Sequence, residues 1–149
     1  MKFSRFAISS AAPLRAGAIT WQLAQVLWVG GLWVMHFVLL KALEKIGFAS
    51  LLVQEVALYV RPLLVGLALV CVFLQLLVLK RLMPLRQLLK DTRGQLLLVA
   101  AALACSFFIT QAYWPDAQYW LVYSYLALGM CGLLLAVQPV PMRHPAISH

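Results

Sequence analysis

The sequence predicts an all-α, polytopic membrane protein, a four-helix transmembrane bundle with both termini in the cytoplasm. Three observations carry that prediction. Four runs, residues 16–40, 62–79, 94–115 and 117–142, contain no Asp, Glu, Lys or Arg, and each has the length of a membrane span. The chain is 64% hydrophobic and only 11% charged, too little charge to cover the surface of a soluble domain. The runs also lack the strict apolar–polar alternation of a membrane β-barrel.

The charge distribution sets the orientation. Lys2, Arg5 and Arg15 precede the first run, Lys80, Arg81, Arg86, Lys90 and Arg93 separate the second from the third, and Arg143 follows the fourth. Only Lys41, Lys45 and Arg61 fall on the other side. The positive-inside rule then places both ends in the cytoplasm. The net charge of +8 reads as a topology signal rather than a nucleic-acid footprint, because the basic residues lack interleaved aromatics and a soluble platform. Lys80, Arg81, Arg86, Lys90 and Arg93 are candidates for contact with anionic lipid headgroups.

Taken in order, residues 1–17 read as a basic cytoplasmic tail. Residues 18–138 form the transmembrane domain, with spans at about 18–40, 62–79, 95–113 and 119–137, and residues 139–149 form a Pro-rich cytoplasmic tail. Helix one carries the most unusual side chains. At 100° per residue, Gln22, Gln25, Val29, Trp33 and His36 share one face, flanked by Trp21 and Trp28. Polar groups in hydrocarbon turn toward other helices, so this face is expected to point into the bundle. Gly30 and Gly31 are expected to permit close helix packing at mid-span. A helical connection with a short interfacial piece is expected over residues 41–59, broken at Gly47. Pro62 fits the first turn of helix two, or a kink if that helix starts earlier.

Helix two is interrupted only by Gly66, Cys71 and Gln75. Trp114-Pro115-Asp116 marks a tight outer turn within an aromatic belt of Tyr113, Trp114, Tyr119 and Trp120. Helix four sets Tyr125, Gly129, Gly132 and Ala136 on one stripe, where Gly129 and Gly132 let another helix approach, in this chain or in a second copy.

Catalytic chemistry is sparse. His36 is the one titratable group other than tyrosine and cysteine inside the four spans, and no acid lies there to drive a proton relay. Cys71, Cys105 and Cys131 form no C-x-x-C pair and read as small packed side chains. No phosphate loop, nucleophile elbow or zinc motif occurs, so no catalytic residue, metal ligand or cofactor is assigned. His36 is expected to bond to a neighbouring hydroxyl, carbonyl or Gln.

The run L-W-V-G-G-L-W-V-M-H-F at residues 27–37, A-L-E-K-I-G-F-A at residues 42–49 and R-P-L-L-V-G at residues 61–66 resemble a bacterial membrane family. That family is domain of unknown function 4149, related to animal transmembrane protein 205. The resemblance covers about residues 18–137. It implies four helices and a multi-pass protein of the bacterial inner membrane, and it implies no activity. The expected role is that of a non-enzymatic accessory or scaffold acting through protein or lipid contacts. The partners are membrane lipids, with other membrane proteins or a second copy as further candidates, and no nucleic acid. The alternatives are a small transporter or channel subunit with a polar path along helix one, and a haem- or quinone-associated redox subunit.

Overall fold

A computed structural model describes residues 6–82 and 84–139, with side chains placed from Ala16 onward. Most of the C-terminal tail, with Arg143, His144 and His149, and the start of the N-terminal tail, with Lys2 and Arg5, lie outside the described residues. Apolar runs this long satisfy their backbone groups within themselves only as helices, and the described chain is helical throughout its spans. The elements are α1 (Phe6–Trp33), a π turn (Val34–Leu39), α2 (Leu40–Ile46), α3 (Ser50–Leu82), α4 (Leu85–Leu88), α5 (Thr92–Tyr113) and α6 (Gln118–Val137).

Four helices are long and apolar enough to cross a membrane. They close into a ring in which α1 packs on α3, α3 on α5, α5 on α6 and α6 back on α1. Hydrogen bonds fix the directions. Gln25 reaches Gly132 while Tyr125 reaches Leu32, so α1 and α6 run antiparallel. The core between them and α3 is built from Trp21, Trp28, Leu32, Val65, Ala68, Val72, Leu97, Ala104, Phe107 and Leu128. The outward faces of the spans remain apolar, with Leu23, Val26, Val70, Phe73 and Ile109 exposed, as lipid-facing surface requires.

The structure refines the sequence reading in three places. Helix already begins at Phe6, inside the stretch expected to be a tail. The first two long helices also overrun their apolar runs, because loss of hydrophobicity marks the edge of the hydrocarbon and not the end of a helix. The Glu- and Lys-bearing segments flanking Gly47 still favour helix. At 33 residues, α3 is about 50 Å long, well beyond a bilayer core of about 30 Å. Finally, no separate interfacial piece forms between residues 41 and 59. The α2–α3 hairpin turns at Gly47, whose φ of 94° suits glycine, and Phe48 N–H closes the helix end on the Leu43 carbonyl. A satellite core of Met35, Leu40, Val53 and Ala57 holds the hairpin together.

The π turn leads into α2 and contributes Met35 to the satellite core, and Pro62 lies on the other limb, beyond Ala57. Pro62 is inside α3, so it interrupts the helical ladder there rather than opening the helix. The π turn shifts the buried phase of helix one. Leu40 is buried and Leu39 is exposed, whereas uninterrupted spacing from Leu32 and Met35 would bury Leu39.

At the opposite end, α4 returns the chain to α5 with Gly94 beneath it. A Cβ on Gly94 would overlap the backbone carbonyl of Leu88. Gly94→Ala is expected to displace α4 and lower stability in detergent by about 1–3 kcal/mol, the usual range for overpacking. Gly66→Ala, whose Cβ would meet Phe108 Cζ at an ordinary 3.7 Å, should cost nothing. Thermal melts of the two variants check the contrast.

Candidate functional site

The polar groups of the bundle form a seam along α1, where it faces α3 and α6. Its lower layer is a closed set of amide bonds. Gln25 Nε2 donates to the Gly132 carbonyl at 2.8 Å, and Gln75 Nε2 donates to Gln25 Oε1 at 2.6 Å and to the Trp21 carbonyl at 3.3 Å. Trp28 Nε1 donates to Gln75 Oε1 at 3.2 Å. Gln25, Gln75 and Trp28 are all buried, so each bond forms away from solvent. One turn higher, Trp33 Nε1 donates to the Gly129 carbonyl at 3.3 Å and Tyr125 Oη donates to the Leu32 carbonyl at 2.7 Å.

Gly132 makes the lower layer geometrically possible. A Cβ there would stand 2.5 Å from Val29 Cγ2 and 2.8 Å from Trp28 Cη2. Only glycine lets α6 come close enough for its carbonyl to reach Gln25. Gly129 is less constrained, since a Cβ there would touch the Trp33 indole at 3.5 Å. The small-residue stripe of helix four therefore faces α1 of the same chain as far as Gly132, and Ala136 beyond it is exposed.

The upper end of the seam is a small, open-sided crevice lined by Leu32, Trp33, His36, Phe37, Tyr125, Leu126 and Gly129. Trp33 and Phe37 stack with ring centroids 5.0 Å apart, and His36 meets Phe37 edge-on at 5.0 Å. His36 is half-buried and its Nδ1 is buried without a hydrogen-bond partner. A bonded His36 was the expectation from sequence, and the structure corrects it. The adjacent hydroxyl, that of Tyr125, is committed to the Leu32 carbonyl beside the π turn.

Of the face read from sequence, the bundle takes in Gln25 and most of Trp33, brings His36 to its edge, and leaves Gln22 exposed. The true inward face is rotated toward Trp21, Ala24, Trp28 and Leu32. Tryptophan buries more apolar surface than any other side chain, and here Gln75 gives the Trp28 N–H a partner. Gln22 lies near the end of the span, where a long amide can reach the headgroup layer. A Cβ on Gly31 would meet Leu64 Cδ2 at 3.4 Å, so Gly31 packs against α3. A Cβ on Gly30 would meet nothing within 4 Å, so Gly30 is not a packing glycine. Gln75 was missed as a site residue, and its isolation as the one amide in helix two was the available signal.

At the other end, Lys80, Arg81, Arg86 and Lys90 are exposed and Arg93 is half-buried. None forms an ion pair among the described residues, where Lys41–Glu44 is the one pair present. The three cysteines are free, with Cys71 buried, Cys105 exposed and Cys131 between. Among the described residues no group of three or more His, Cys, Asp or Glu is placed to hold a metal ion.

The fold and its polar seam define a multi-pass helical membrane protein. No protein-family model, curated protein or solved structure matches the chain.

Proposed function

We propose that this is a non-enzymatic accessory or scaffold protein of a bacterial inner membrane, with both termini cytoplasmic, acting through lipid and protein contacts. One observation carries the reading. The buried Gln25, Gln75 and Trp28 and the part-buried Trp33 bond to one another and to helix backbones. Groups tied in this way hold helices together and do not line a path for a solute.

Purification in mild detergent, with identification of bound lipids and proteins, tests the proposal. A lipid or protein retained in fixed ratio supports it. Saturable solute flux in proteoliposomes, abolished by His36→Gln, would replace it with the transporter reading, which the unpartnered His36 Nδ1 favours. The topology is tested separately, on the nine basic residues at one end against three at the other. Reporter fusions at His149 and at Asp116 are expected to report cytoplasm and periplasm respectively, and a periplasmic His149 would overturn the orientation.

A further inference from the structure

A second crevice opens between α3, α5 and α6 at the level of the α5–α6 turn. It is small and open-sided and is lined by Leu58, Arg61, Pro62, Phe107, Gln111, Gln118 and Leu121. Arg61 is half-buried, yet it forms no ion pair and no hydrogen bond with any described residue. Glu44, which lies on the same side of the bundle, is taken by Lys41 at 3.0 Å. Asp116 is exposed in the adjoining turn and makes no ion pair with Arg61.

A half-buried guanidinium at a membrane boundary is costly unless something anionic meets it. Its planar fork matches phosphate or carboxylate oxygens. Gln111 and Gln118 bring amide donors to the same crevice, and Phe107 and Leu121 give it an apolar wall. Pro62 supplies no N–H to the helical ladder, so the carbonyl of Leu58 loses its usual donor on the same rim. Tyr113, Trp114, Tyr119 and Trp120 crowd the neighbouring turn and are all exposed, which sets the crevice at headgroup depth.

We propose that the crevice at Arg61, Gln111 and Gln118 binds a phosphate group, carried by a phospholipid headgroup or free in solution. In the lipid form this rests on the reading of the protein as one that acts through lipid contacts. The basic loop at the opposite end would bind anionic lipid as well, so the test silences it by replacing Lys80, Arg81, Arg86, Lys90 and Arg93 with Gln. The full chain in that background is purified in a sugar-headed detergent, which carries no phosphate, and mixed with phosphatidylglycerol, and bound lipid is counted by native mass spectrometry. Inorganic phosphate is titrated in parallel into the lipid-free micelles, with thermal stability as the readout.

If the headgroup is the ligand, one phosphatidylglycerol is retained and inorganic phosphate has no effect. If the free anion is the ligand, phosphate raises the melting temperature in the lipid-free micelles. In either case Arg61→Gln is expected to weaken binding about tenfold or more, the worth of charge-assisted bonds at a buried edge. Arg61→Lys, which keeps the charge and loses the fork, should fall between. Should Arg61→Gln not fold, Gln111→Leu with Gln118→Leu takes its place, with the same loss expected. Retention of phosphatidylglycerol and response to phosphate that are unchanged in these variants, or absent in the parent, would overturn the site. Lipid retained by the unsubstituted chain, whose basic loop is intact, would then leave the broader functional reading standing.

Discussion

Gly132→Leu is expected to prevent α6 from docking on α1 and to produce the largest loss of stability of any single substitution in the bundle. Even the first atom added has no room, since a Cβ would meet Val29 Cγ2 at 2.5 Å and the Trp28 ring at 2.8 and 2.9 Å. Neither neighbour can yield cheaply, because Trp28 and Val29 are themselves buried and Trp28 is tied to Gln75. Gly132→Ala should therefore already cost about 1–3 kcal/mol through overpacking, and Leu more. Pushing the helices apart would also lengthen the 2.8 Å bond from Gln25 to the Gly132 carbonyl. Two controls separate this from a general effect of bulk. Gly30→Ala has open space at its Cβ, and Leu134→Ala alters an exposed side chain. Melting in detergent, followed by size-exclusion chromatography, should show a large drop for Gly132→Leu and little for the controls. Equal, small effects would mean that α6 does not approach α1 at this point.

The second large effect is expected at Gln75. Gln75→Leu removes an amide that both donates to Gln25 and accepts from Trp28. It leaves the Trp28 N–H and the Gln25 oxygen buried without partners, and each such group costs about 1–3 kcal/mol. A loss on the order of 2–4 kcal/mol follows, larger than the gain from the added apolar surface. The companion variant Gln25→Leu frees the Gly132 carbonyl and one Gln75 donor, so it should also destabilise. Because the two residues share a bond, the double variant should lose less than the sum of the singles, with a coupling of about 0.5–3 kcal/mol. A double-mutant cycle by thermal or denaturant unfolding in a fixed detergent gives that number. Strict additivity would show that the amide pair is not formed.

The four spans were legible because hydrocarbon excludes charge, and the expected spans 95–113 and 119–137 mark α5 and α6 to within a turn. The break at Gly47 that ends α2 was legible, while the start of α3 at Ser50 was not, because composition records where lipid stops and says nothing about where a helix begins beyond it. The rotation of helix one was half legible. Gln25 and Trp33 pointed inward as polar groups should, but Gln22 offered the same signal and faces out, while Trp21 and Trp28 looked like flanks and are core. Periodicity ranks faces by average polarity and cannot weigh one large indole against one amide. The bond between Gln25 and Gln75 joins residues 50 positions apart, and no local pattern reports such a pairing. Arg61 and Gln118 likewise meet only after α3 and α6 have both found α5.

The π turn has a consequence for chain length. It places one residue more between Met35 and Leu40 than the buried phase needs, and Val38 within it is exposed. A chain lacking Val38 could close an ordinary α ladder and still present the next leucine to the hairpin core, since Leu40 would occupy the position that Leu39 now holds. By geometry, then, the surplus residue is dispensable to the topology. What it changes is local. His36 and Phe37 of the turn line the crevice that Tyr125 of α6 also lines, so loss of the surplus residue would re-aim that wall while the rest of α1 kept its register.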